Sequence, residues 1–126
     1  MSIDRPVKIL FIEDNAQFVA TVREAFLSDV ELELAASVAE AKSKLGPNFD
    51  AYLVDYDLPD GKGTAVVEAI RRADPLTPVI AISSHEEGNE ALVQAGATES
   101  CPKADFSRLR SRLRSILGSA DDGTVV

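Results

Sequence analysis

The chain has 126 residues, 45% hydrophobic and 27% charged, with a formal net charge of −8 and a pI of about 4.6. That length fits one domain able to bury about two-thirds of its unfolded surface, and the acidic balance excludes a general nucleic-acid binder, which needs a basic surface. The single cysteine, Cys101, excludes an internal disulfide framework and a cysteine-based zinc site.

The N-terminus, MSIDRPVKILF, has no long apolar run. No signal peptide and no membrane insertion are expected, and a cytoplasmic setting is the simplest one. Residues 1–6 read as a tail. Val7 to Ile12 (VKILFI) is too short for a helix and reads as a buried strand. Asn15 to Leu27 places Phe18, Val19, Val22, Phe26 and Leu27 at helical spacing, with Arg23 and Glu24 opposite and Asn15 as cap. Glu31 to Ala35 (ELELA) alternates as a strand does, and Ser37 to Leu45 is a short helix capped by Ser37 and stopped by Gly46-Pro47.

Ala51 to Val54 is a third strand that runs straight into Asp55, Asp57 and Asp60. Leu58-Pro59-Asp60-Gly61 is turn chemistry. Thr64 to Ala73 carries Val66, Val67 and Ile70 on one face and ends at Asp74-Pro75. Val79 to Ile82 is a fourth strand, Glu86 to Ala95 a polar helix stopped by Gly96, and Thr98 to Cys101 a brief fifth strand. Asp105 caps a last helix to Leu117 that lines up Leu109, Leu113, Ile116 and Leu117; residues 118–126 read as a flexible tail or the start of a linker.

Five strand–helix pairs predict an α/β fold with a parallel sheet covered on both faces. Right-handed crossovers bring every carboxyl end to one edge, where ligands of such sheets bind. At that edge the strands deliver Glu13 and Asp14, then Asp55 and Asp57, then Ser83 and Ser84, and finally Lys103. Neighbouring carboxylates without a partner shift their pKa values upward. A hard divalent ion such as Mg²⁺ and an ammonium group both relieve that cost. A carboxylate beside Mg²⁺ and lysine suits phosphoryl transfer, in which neutralised charge and positioning carry the reaction.

Taken singly these residues say less. Glu13-Asp14 alone is a helix-start acid pair, Lys103 a surface lysine, and Ser83 an ordinary serine. Cys101 reads as a small buried apolar residue. Arg108, Arg110, Arg112 and Arg114 read as solvated flanks of the last helix. Gly61-Lys62-Gly63-Thr64 lacks the spacing of a phosphate-binding P-loop.

In order, however, Glu13-Asp14, the run Asp55-Tyr56-Asp57-Leu58-Pro59 with Gly63, the run ending at Ser83, and Gly96-Ala97 followed by Lys103 resemble the receiver domain of two-component response regulators. The resemblance covers about residues 6–117, and residues 7–117 are taken as the domain. It implies a flavodoxin-like (βα)5 fold with sheet order 2-1-3-4-5. It also implies Asp55 as phosphoacceptor, Ser83 as switch hydroxyl and Lys103 as phosphate contact. Glu13, Asp14 and Asp55, with the backbone carbonyl of Asp57, would hold Mg²⁺ or Mn²⁺. Asp57 and His85 would tune acyl-phosphate lifetime. The donor would be a sensor histidine kinase or a histidine phosphotransfer protein. Output would go to a protein partner in a phosphorelay; the resemblance also admits a homodimer and implies no enzymatic turnover beyond self-phosphorylation and autodephosphorylation. A stand-alone, single-domain regulator is expected.

Three features depart from the pattern. Ser100 stands where similar domains often carry Tyr or Phe, Lys103 is followed by Ala104 and preceded by Pro102, and Asp57 and His85 occupy the tuning positions. Two other readings stay open: a D-x-D aspartyl phosphatase using Asp55 and Asp57, and a receiver-shaped interaction module that is never phosphorylated.

Overall fold

The computed structural model describes residues 6–26 and 30–125. Among them, five strands form one parallel sheet: β1 (Lys8–Ile12), β2 (Glu31–Ala35), β3 (Ala51–Val54), β6 (Val79–Ala81) and β7 (Glu99–Ser100). Their order is β2-β1-β3-β6-β7, the doubly wound order that the resemblance implied. Between β3 and α3 a separate two-stranded ribbon, β4 (Asp57–Leu58) and β5 (Gly61–Lys62), pairs antiparallel. The α-helices of the described residues are α1 (Ala16–Phe26), α2 (Val38–Lys44), α3 (Gly63–Ala73), α4 (Glu86–Ala95) and α5 (Leu109–Val125).

The strands alternate their side chains between two cores, as the period of two requires. Leu10, Ile12, Tyr52, Val54, Val79 and Ala81 face α2, α3 and α4, which contribute Val38, Ala41, Val66, Val67, Ile70 and Leu92. Ile9, Phe11, Ala51, Leu53 and Ile80 face α1 and α5, which contribute Val19, Val22, Leu109 and Leu113. Because both faces are covered, β1 and β3 read as continuous apolar runs.

The expected caps form. Asn15 Oδ1 accepts the Phe18 amide at 2.9 Å, and Ser37 Oγ accepts the Glu40 amide at 3.0 Å. Leu27, assigned from its spacing to α1, lies outside the described residues, as do residues 1–5 of the N-terminal tail and Val126.

Two expectations are corrected. The Asp57–Lys62 stretch is a paired ribbon and not only a turn, because Pro59-Asp60 reverses the chain tightly enough to zip its flanks. The last helix neither starts at Asp105 nor stops at Leu117. A 3₁₀ segment spans Lys103–Arg108 after Pro102, with Asp105 at φ −101°, ψ 24°, and α5 then runs from Leu109 to Val125. The Lys103 amide is tied to the Ser83 carbonyl at 3.0 Å, which holds the entry in a tight turn. Beyond Leu117 no proline interrupts the helix, and each further residue adds a backbone bond.

Candidate functional site

Strands β1 and β3 are neighbours at the point where the sheet order reverses, and the crevice there opens at their carboxyl ends. Ladder bonds continue past the strands and fix the first residues beyond them. The Glu13 amide donates to the Ala35 carbonyl at 2.9 Å, that of Asp55 to Ile12 at 3.0 Å, and that of Ile82 to Val54 at 2.9 Å. Glu13 and Asp55 are buried while Asp14 is exposed. One carboxylate oxygen from each of the three lies within 4.8 Å of the others.

Lys103 closes the cluster from the far side of the sheet. Its Nζ lies 2.9 Å from Glu13 Oε1 and 3.3 Å from Asp55 Oδ2, and it donates to Glu13 Oε2 at 3.1 Å. The ammonium also sits 4.9 Å above the Phe18 ring, which packs edge-on against Phe11 and Phe106. A cation–π contact and an aromatic wall therefore hold the lysine in place.

Backbone donors orient the carboxylates. Asn15 donates to Glu13 Oε2 at 3.1 Å, and Tyr56 donates to Asp55 Oδ1 at 2.8 Å. Burial pushes Glu13 above the ordinary carboxylate range despite its hydrogen bond from Lys103. Burial likewise raises Asp55 against the pull of Lys103, and Asp14 adds to the rise. For Lys103 burial alone acts downward, but Glu13 and Asp55 together lift it above its usual value. Charges held this way favour a further cation.

A divalent ion fits these residues. Glu13 Oε1 is buried and, although close to the ammonium, takes no hydrogen bond of proper geometry. That leaves a lone pair in a set of hard oxygen donors, the chemistry Mg²⁺ selects.

The remaining sequence-predicted residues fall around this centre. Ser83 is buried at the end of β6; its Oγ accepts the His85 amide at 3.2 Å, and its carbonyl accepts the Lys103 amide. His85 caps α4. The carboxylate of Asp57 points to Lys62 at 2.5 Å on the exposed ribbon and is not a member of the carboxylate cluster. Asp60 caps α2, its carboxylate accepting the amides of Val38 at 2.7 Å and Ala39 at 3.0 Å. Gly63 is needed for closeness: a Cβ there would fall onto the backbone carbonyl of Asp55, and its amide donates to Tyr56 at 2.7 Å.

Sequence reasoning gave no site role to Phe18, Tyr56, Gly88 or Asn89. Phe18 fits a helix face equally well as plain core. Gly88 and Asn89 carry no local signal, because their roles depend on where α4 lands.

Two buried carboxylates and an exposed third, met by a lysine at the switch point of a doubly wound sheet, form a candidate metal centre. The chain belongs to the response regulator receiver domain family, which it matches over residues 9–114. It is 32% identical over 118 residues to a protein-glutamate methylesterase/protein-glutamine glutaminase of Xanthomonas oryzae, covering 86% of this chain and 33% of that protein. It is 32% identical over 116 residues to the response regulator protein PilR of Pseudomonas aeruginosa, covering 87% of this chain and 26% of that one. The chain thus spans about a third or less of these relatives.

Among solved structures, a CheY-like response regulator receiver domain protein from Methanospirillum hungatei superposes with a TM-score of 0.82 at 22% identity, covering 94% of this chain and 99% of that one. The receiver domain of a sensor histidine kinase from Pseudomonas aeruginosa, which has a magnesium ion coordinated in its active-site cleft, gives a TM-score of 0.80 at 25% identity. It covers 90% of this chain and 99% of that one. No helix among the described residues is long and apolar enough to cross a membrane.

Proposed function

We propose that Asp55 accepts a phosphoryl group, in a Mg²⁺- or Mn²⁺-dependent step, from the phosphohistidine of a sensor histidine kinase or a histidine phosphotransfer protein, and that the modified domain changes its binding to a protein partner in the cytoplasm. The observation that carries this reading is the placement of Asp55: buried, held by the Tyr56 amide, and sharing the Lys103 ammonium with Glu13.

Asp55 Oδ attacks phosphorus, the bond from phosphorus to the donor histidine nitrogen breaks, and that nitrogen keeps the electron pair. Lys103 neutralises charge on the transferred oxygens, and the Ser83 hydroxyl donates to one of them. Glu13, Asp14 and Asp55, with the Asp57 carbonyl, hold the ion. Its chemistry is to offset the negative charge of carboxylates and phosphoryl oxygens brought together. His85 and Asp57 flank the site and set the lifetime of the acyl phosphate. No turnover of an external substrate is part of this reading. The binding of Asp57 to Lys62 counts against a general-acid role for its carboxylate.

The test is intact-protein mass after incubation with Mg²⁺ and acetyl phosphate. One phosphoryl adduct is expected, lost on omitting Mg²⁺ and lost in Asp55→Asn. An adduct that survives in Asp55→Asn would overturn the assignment.

A further inference from the structure

The ribbon that follows Asp55 is pinned at both ends. At its base the Gly63 amide donates to the Tyr56 carbonyl at 2.7 Å. At its turn the Asp60 carboxylate accepts the amides of Val38 and Ala39, which anchors it to α2. Between these points Asp57 and Lys62 stand opposite each other in the antiparallel pair. The backbone of Asp57 is therefore fixed two residues from Asp55. Only the torsions of its own side chain can re-aim its carboxylate.

Lys62 sets that aim. Its Nζ lies 2.5 Å from Asp57 Oδ1 and 4.9 Å from the centre of the Tyr56 ring, so the ammonium is steered from two sides. Held this way, the Asp57 carboxylate stands outside the group formed by Glu13, Asp14 and Asp55. A carboxylate so near Asp55 in the chain and not tied to a cation is a general base for a water that attacks an acyl phosphate there. Both partners are 56% exposed, so dissolved ions reach the pair and weaken it. Such a pair adds little to stability, but a few-fold change in rate needs only a small bias in where a side chain sits.

We propose that Lys62 is a positioning residue: it prolongs the acyl phosphate by holding the Asp57 carboxylate away from it, and the restraint loosens as salt rises. When the pair opens, the Asp57 carboxylate takes a proton from the attacking water. The water oxygen bonds to phosphorus, the bond from phosphorus to the Asp55 oxygen breaks, and Asp55 leaves with the electron pair. Inorganic phosphate departs and Asp57 returns its proton to solvent. The inference rests on the phosphoacceptor reading of Asp55.

In the experiment the full chain is loaded with acetyl phosphate and Mg²⁺ and freed of donor, and loss of the adduct is followed by intact-protein mass. Lys62→Met should lose it several-fold faster than the wild type. Lys62→Arg, which keeps the cation, should restore the slow decay. In an Asp57→Asn background Lys62→Met should change nothing, because the residue it acts through is gone. Raising the salt to about 1 M, where the screening length falls to about 3 Å, should speed the wild type and leave Lys62→Met as it was. Carbon-13 NMR of the unmodified chain reads the pair without any phosphate: Lys62→Met should move the Asp57 carboxyl signal. Equal or slower decay in Lys62→Met overturns the proposal. So does the same acceleration with Asp57→Asn present, a fast decay in Lys62→Arg, a wild type indifferent to salt, or an unmoved Asp57 signal. No adduct in the wild type, or one that survives in Asp55→Asn, overturns the phosphoacceptor reading instead and takes the proposal with it.

Discussion

Two lysine–carboxylate contacts flank the same strand end, and they differ in kind. Lys103 reaches Glu13 and Asp55 with side chains 20%, 0% and 7% exposed. Lys62 meets Asp57 on the ribbon with both side chains 56% exposed. The ribbon pair is the shorter, at 2.5 Å against 2.9 Å and 3.3 Å. Distance is therefore a poor guide to energy. Water screens the ribbon pair, so it contributes little. In the cluster two carboxylates have lost solvent, and removing the cation they share strands both. The site is built where charge is hardest to hold.

The sharpest test of this contrast is Lys103→Met. It should cost about 3 kcal/mol of stability at neutral pH, the lower end for breaking a buried pair, read by urea denaturation. Added Mg²⁺ should return part of the loss. A cost no larger than that of Lys62→Ala would abolish the distinction. Next comes Gly63→Ala, whose methyl group meets the Asp55 carbonyl. Overpacking of that kind costs about 1–3 kcal/mol, and the rate of adduct formation with acetyl phosphate should fall as Asp55 shifts.

The pH response separates the regions further. Glu13 and Asp55 titrate above their ordinary values, chiefly through burial. Between the unfolded and folded values the native cluster binds more protons than the unfolded chain, so these two groups cost stability as pH rises through that window. The rise in melting temperature caused by Mg²⁺ should therefore be larger at neutral pH than in mildly acidic buffer; equal shifts at both would remove the cluster from the account. Asp60 has the opposite sign. The amides of Ala39 and Val38 hold it below the ordinary aspartate value. Its contribution is present above that value and is lost as pH falls through the lowered one. Asp60→Ala should lower the melting temperature at neutral pH, and the deficit should vanish in strong acid. The smallest effect belongs to Lys62→Ala, for which no measurable change in melting temperature is expected.

Much of this was legible in the chain. Runs such as VKILFI and AYLV have no polar face to give water, so they could only be central strands of a covered sheet. Asn15 and Ser37 announced helix starts because a cap acts within three residues. The end of α5 was misplaced because Gly118, a residue that often ends a helix, lies inside it here. The ribbon was missed because two-residue strands are too short for any period to show.

Sequence alone determined the parallel, doubly covered sheet, the residues at its carboxyl edge and the acidic character of the site, since these come from short-range pattern and the handedness of crossovers; the strand order came from the resemblance. It gave roles to Asp55 and Asp57 through the resemblance and a turn to Asp60, but not the burial or the side-chain partner of any of the three. One is buried against Lys103, one is bound to Lys62 in water, and one caps a helix that begins 22 residues earlier in the chain. The contact of Gly88 with Ser83 and Tyr56 was likewise invisible. Those outcomes depend on which groups lose solvent and which backbones meet, and only the packed structure decides that.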